Sequence, residues 1–124
     1  MSPEVVYNSK HNVVNAKATG VLNYDVGKGL VEKFLKVAAD HKCHKVFCDY
    51  SKMKLPASIL EIYDNADHFE LWGVPRNFLI AVVYSEGQKV YKFWETVVRN
   101  RGFAARVFND KDEALKWLAN VTTI

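Results

Sequence analysis

The stretch that most restricts what this chain can become is the unbroken apolar run Phe78-Leu-Ile-Ala-Val-Val-Tyr84. It is too short for a membrane-spanning helix, which needs about 20 apolar residues. A short continuous apolar run bounded by turn residues reads as a strand covered on both faces. The residues after it repeat that grammar. Ser85-Glu-Gly-Gln88 has the Ser-x-x-Gln form of a capping box, and Val90, Phe93 or Trp94, Val97 and Val98 then fall at helical spacing. Gly102 is a natural helix stop, Ala104 to Phe108 a strand, and Asp110-Lys-Asp-Glu113 an N-cap for a last helix with Leu115, Leu118 and Val121 inward. Strand–helix–strand–helix implies a sheet with helices packed on it, its crossover-linked strands parallel and right-handed.

The first half fits the same plan. Val13 to Thr19 alternates, with Val14, Ala16 and Ala18 on one face and Asn15 and Lys17 on the other. Glu4 to Tyr7 is a short partner strand across a turn at Asn8 to Asn12. Gly20 breaks the pattern and Asp25 is a candidate N-cap. Val26, Leu30, Phe34, Val37 and Ala38 then recur at helical spacing, with Lys28, Glu32, Lys33 and Lys36 mostly opposite, until about Asp40 to Lys42. Lys45 to Tyr50 is a buried strand. Pro56 suits the first turn of a second helix whose apolar stripe is Leu55, Ile59, Ile62, Ala66 and Phe69, closed by Gly73 and Pro75. The predicted order is β-β-α-β-α-β-α-β-α. This is an α/β chain with four helices and a four- to five-stranded mixed sheet, read as a single domain over residues 1–124.

Order and phrasing together resemble the SpoIIAA-like branch of the STAS-domain proteins. The resemblance rests on Gly20-Val-Leu-Asn-Tyr-Asp25, Val46-Phe-Cys-Asp49, Phe78 to Val83, and Arg106-Val-Phe-Asn-Asp-Lys-Asp-Glu-Ala-Leu-Lys-Trp-Leu118. It covers nearly the whole chain. It implies a mixed sheet with helices largely on one side. It also implies either of two roles. Classical members are anti-sigma-factor antagonists, switched by a phosphorylatable serine in an Asp-Ser-like turn before the second helix. The SpoIIAA-like branch is associated with lipophilic ligands and membrane surfaces. In Met53-Lys-Leu-Pro-Ala-Ser-Ile59 the serine position falls near Pro56 or Ala57 and the preceding acid is absent; Ser58 stands one or two residues away.

Charge and composition narrow the function further. With 49% hydrophobic and 25% charged residues and a formal net charge of +3, the composition is ordinary globular, and the charge is too weak to argue for nucleic acid. The start, Met1-Ser-Pro-Glu-Val-Val-Tyr7, has no secretory pattern, and Cys43 and Cys48 read as reduced thiols. The expectation is a cytoplasmic protein, with peripheral membrane contact as an extension. His41, Cys43, His44 and Cys48 match no zinc spacing. Val83-Tyr-Ser-Glu-Gly87 lacks the first glycine of a nucleophile elbow. Asp49 lacks the companion acids of a receiver-type magnesium site. No catalytic residue, metal or cofactor is called for, and a non-enzymatic module is expected. Lys89, Lys92, Arg99, Arg101 and Arg106, interrupted by Glu86 and Glu95, read as a solvated face, or else as attraction to anionic lipid or an acidic partner.

The surplus lies around the second helix. Leu60 and Tyr63 flank its core stripe, and Leu71, Trp72 and Val74 come directly after it. That is more apolar surface than one helix face needs. Leu60, Tyr63, Phe69, Leu71 and Trp72 are the expected ligand-binding residues, for a lipophilic small molecule, an anionic membrane surface or a second copy of the chain as a homodimer. The alternative is a regulatory protein–protein module marked by phosphorylation at Ser51 or Ser58.

Overall fold

The computed structural model describes residues 3–55 and 58–120. Its elements are β1 (Glu4–Asn8), β2 (Val13–Lys17), β3 (Gly20–Val21), α1 (Tyr24–His41), β4 (Lys45–Asp49), β5 (Met53–Lys54), α2 (Ile59–Asp67), β6 (Leu79–Val83), α3 (Gln88–Asn100), β7 (Ala104–Phe108) and α4 (Lys111–Asn120). The main sheet has 5 strands in the order β1-β2-β4-β6-β7. β1 is antiparallel to β2, and β2, β4, β6 and β7 are parallel. None of the described helices is long and apolar enough to cross a membrane.

Period-two alternation splits the sheet between two layers. Val14, Ala16, Val46, Cys48, Ile80, Val82, Ala105 and Val107 face α1, α2 and α3. Val13, Phe47, Leu79, Ala81 and Val83 face Ala114 and Leu118 of α4. β6 is therefore buried at every position, which is why its sequence is a continuous apolar run rather than an alternating one.

The structure departs from the sequence expectations in four places. Asn23, not Asp25, caps α1: its Oδ1 accepts the Val26 N–H at 2.9 Å, and Asp25 stands in the first turn, where its charge favours the helix dipole. Gly20 is not a simple break, because it opens β3, which pairs with β5 in a second, two-stranded parallel sheet. No capping box forms at Ser85. Its hydroxyl donates to the Ser51 carbonyl at 2.6 Å, and α3 starts from Gly87 at φ 88° without a side-chain cap. A Cβ on Gly87 would meet only the end of the Leu55 side chain, at 2.4 Å, so it is the positive φ that asks for glycine. Ile59 is 55% exposed and so leaves the predicted stripe, whose other α2 residues Ile62 and Ala66 are buried. Of the two alternatives left open in α3, Trp94 is the one that faces the core, with Tyr91 buried beside it, and Phe93 is turned outward. Pro56 and Val121 lie outside the described residues.

Candidate functional site

α2 sits between α1 and α3, and buried contacts hold it there. Asn65 is 6% exposed, and its Oδ1 accepts the Trp94 indole N–H at 3.1 Å. Its amide nitrogen lies where a side chain on Gly27 would begin: a Cβ there would be 1.8 Å away. Gly27 thus lets α1 come close to α2. That approach brings Tyr24 against the residues just beyond α2.

Those residues do not leave the helix directly. The Trp72 N–H donates to His68 O at 2.9 Å, the Gly73 N–H to Glu70 O at 3.0 Å and the Val74 N–H to Phe69 O at 3.1 Å. Gly73, at φ 88°, supplies the left-handed residue such a termination requires. The turn drives Phe69 and Val74 into the core and leaves Leu71 76% exposed. Trp72 is half-buried. Its ring lies 5.2 Å from that of Tyr24, edge to face, and 6.3 Å from Phe69, and its Nε1–H donates to the Tyr24 hydroxyl at 3.4 Å. His68 completes the cluster, 5.2 Å from Tyr24. An open cleft of about 250 Å³ adjoins it, lined by Tyr24, Lys28, Glu32, Leu71 and Trp72. On the same stripe of α1, a more apolar groove of about 390 Å³ runs between Leu35, Ala38 and Ala39 and the Gly73–Pro75 segment, with Phe78 at its base.

The five expected ligand-binding residues divide. Leu71 and Trp72 border the cleft. Phe69 is 4% exposed and belongs to the core beneath Trp72. Leu60, 68% exposed, stands at the start of α2 and Tyr63, 38% exposed, at its middle, both away from the cleft. There Tyr63 packs with Phe93 at 6.4 Å and accepts a bond from Arg101 Nη2 at 3.2 Å. Arg101 also donates from Nε to Asp67 at 2.8 Å. Tyr24 and His68 are not among the residues expected from sequence, and Lys28 and Glu32 lie on the side of α1 expected to face solvent. Their signal is the i, i+4, i+8 spacing of Tyr24, Lys28 and Glu32, which places them on one line of α1.

The other sequence candidates are held elsewhere. Ser58 caps α2, its Oγ accepting the Leu60 N–H at 3.1 Å. The Ser51 N–H and hydroxyl both donate to Asp49 Oδ1, at 3.0 and 2.6 Å. Burial works to raise the Asp49 pKa, but the two Ser51 bonds, reinforced by Lys111 and Lys17, hold it below the ordinary carboxylate value. His41 stacks on Tyr7 at 4.1 Å, Cys43 Sγ lies 3.3 Å from the Asn12 carbonyl, and Cys48 is enclosed in the core. Of the basic residues, Lys92 pairs with Glu95 at 3.8 Å, while Arg99 and Arg106 border a shallow groove with Phe103 and Trp117. α3 packs on β7, and α1 on β1 and β2, so this basic face and the cleft sit toward opposite edges of the sheet.

No protein-family model matches the chain, and no curated protein does. Among solved structures, it is similar to the anti-sigma factor antagonist SpoIIAA in its unphosphorylated form, with a TM-score of 0.53 at 8% identity, over 97% of this chain and 100% of that one. An uncharacterised protein of the DUF3478 family from Shewanella loihica PV-4, with a SpoIIAA-like fold, gives 0.56 at 18% identity over 94% and 92%. The protein TM1081 gives 0.55 at 15% identity over 94% and 88%. The chain has the SpoIIAA-like, STAS-type fold.

Proposed function

We propose that the chain is a non-catalytic binding module, and that the exit of α2 associates with a lipophilic molecule or a lipid surface. One observation carries this: Leu71 stands 76% exposed beside a half-buried tryptophan and an open cleft, on a turn held by successive backbone hydrogen bonds. A braced apolar projection next to an amphipathic ring suits an interface between water and hydrocarbon. Burying one large side chain contributes roughly 1.5–3 kcal/mol, so Leu71 and Trp72 together support weak, reversible attachment. Pockets that engulf a ligand usually exceed about 300 Å³, and the smaller cleft here favours a surface or a head group over an enclosed guest. The residues that could otherwise suggest catalysis, Ser85 and Asp49, are tied into the loop bonds with Ser51.

Liposome co-sedimentation, with native mass spectrometry for co-purified lipid, tests the proposal. Binding that Leu71→Ser removes is the expected result. Lipid-free protein that ignores liposomes would defeat the reading.

A second reading has its own observation. Ile59, Leu60 and Tyr63 of α2 and Phe93 of α3 are all exposed, just beyond the Ser58 cap. A protein partner of the kind bound by anti-sigma-factor antagonists, or a second copy of this chain, would cover such a patch. Phosphate on Ser58 would sit at the α2 N-terminus, where negative charge is favoured. Detection of phosphoserine at Ser58 or Ser51 in protein isolated from cells, or a dimer abolished by Leu60→Ser, would favour this reading.

A further inference from the structure

We infer that the cleft beside Trp72 selects a zwitterionic lipid head group, a phosphodiester joined to an ammonium group, at a bilayer surface. This rests on the lipid-surface reading and deepens it, replacing an anionic surface with a neutral one. Tyr24, Lys28 and Glu32 occupy successive turns of α1, about 6 Å apart. The cleft thus presents in line an aromatic pair, an ammonium and a carboxylate. Lys28 and Glu32 are exposed, and neither joins an ion pair among the described residues. Lys28 can meet the phosphate. Glu32, one turn further along α1, can meet the ammonium. The spacing of one helical turn is the scale on which a head group separates its two charges.

Two acidic groups near the turn already have basic partners. Glu70, next to Leu71, is paired with Arg76 at 3.3 Å. Asp67 is bonded by Arg101. Arg99 and Arg106 lie toward the β7 edge, away from α1. A membrane pressed against Leu71 therefore meets a cleft of one positive and one negative side chain. The modest cleft volume accommodates a head group while leaving the acyl chains outside, where Leu71 projects.

The test uses the full chain with vesicles of phosphatidylcholine and, separately, vesicles rich in phosphatidylglycerol. Expected are co-sedimentation with phosphatidylcholine that changes less than about twofold between roughly 0.05 and 0.5 M salt, and competition by soluble phosphocholine. Glu32→Lys, at an exposed position, should weaken phosphatidylcholine binding about fivefold and strengthen phosphatidylglycerol binding. Attachment to phosphatidylglycerol alone, fading with salt, would overturn the head-group inference and leave the lipid-surface reading standing. Unchanged phosphatidylcholine binding by Glu32→Lys would overturn the cleft assignment. Indifference to both vesicle types would sink the inference together with the reading beneath it.

Discussion

Replacing Gly27 with alanine probes the contact that sets α1 against α2. The new methyl group would begin 1.8 Å from Asn65 Nδ2 and 3.0 Å from its Cγ. Asn65 has little freedom to yield, because it is buried and accepts the Trp94 indole N–H. Overpacking of this kind costs about 1–3 kcal/mol, and losing the Asn65–Trp94 bond inside the core adds about 1 kcal/mol or more. Alanine returns about 1 kcal/mol as a better helix former. The net expectation is a loss of about 2 kcal/mol. With about 2.1 cal/mol/K of unfolding entropy per residue over 124 residues, the thermal midpoint should fall by about 8 °C. Thermal and urea denaturation followed by circular dichroism measure it. In an Asn65→Ala background the collision is gone, so the penalty should shrink by at least about 1 kcal/mol. A Gly27→Ala protein as stable as the parent, or an equal penalty in both backgrounds, would refute the reasoning.

Other perturbations target single features. The Tyr91 hydroxyl is buried without a hydrogen-bond partner among the described residues, and burial, with the Glu86 charge, pushes its pKa up to about 12. Tyr91→Phe should therefore leave stability unchanged or raise it by about 1 kcal/mol in urea titrations. Asp49 has a depressed folded pKa, so its contribution is full above the unfolded value of about 4 and is lost as pH falls through the lower folded value. Asp49→Asn should flatten the acid limb of a stability–pH curve; an unaltered limb would count against it. Burial drives the Cys48 pKa up to about 12, opposed by its bond with Tyr50 and aided by Asp49, and both cysteines are enclosed. Alkylation at pH 8 should therefore be far slower in native than in urea-unfolded protein, a difference that mass spectrometry reads directly.

The fold is legible in the sequence where pattern alone decides it. The apolar run at β6, the alternation at β2 and the i, i+4 stripes of α1 and α3 each require burial on particular faces. Features that depend on contacts between distant segments do not show. β3 and β5 contribute only two residues each, and their pairing brings Gly20 to Met53, beyond any local pattern. Ser85 has the letters of a capping box, yet its hydroxyl finds the Ser51 carbonyl across the sheet end. The surplus of apolar residues around α2 is legible from residue 60 to 74. Its division into an α3-facing patch at Tyr63 and an α1-facing cleft at Trp72 is not, because the partner of each comes from another helix.

The turn carrying Leu71 and Trp72 is proposed as the surface that meets lipid, and quenching of tryptophan emission by vesicles containing brominated phosphatidylcholine tests this most directly. Trp94 is enclosed and Trp117 belongs to α4 on the far face of the sheet, so emission should be quenched in the parent protein and unaffected in Trp72→Phe. Absence of quenching in the parent, or equal quenching in Trp72→Phe, would contradict it.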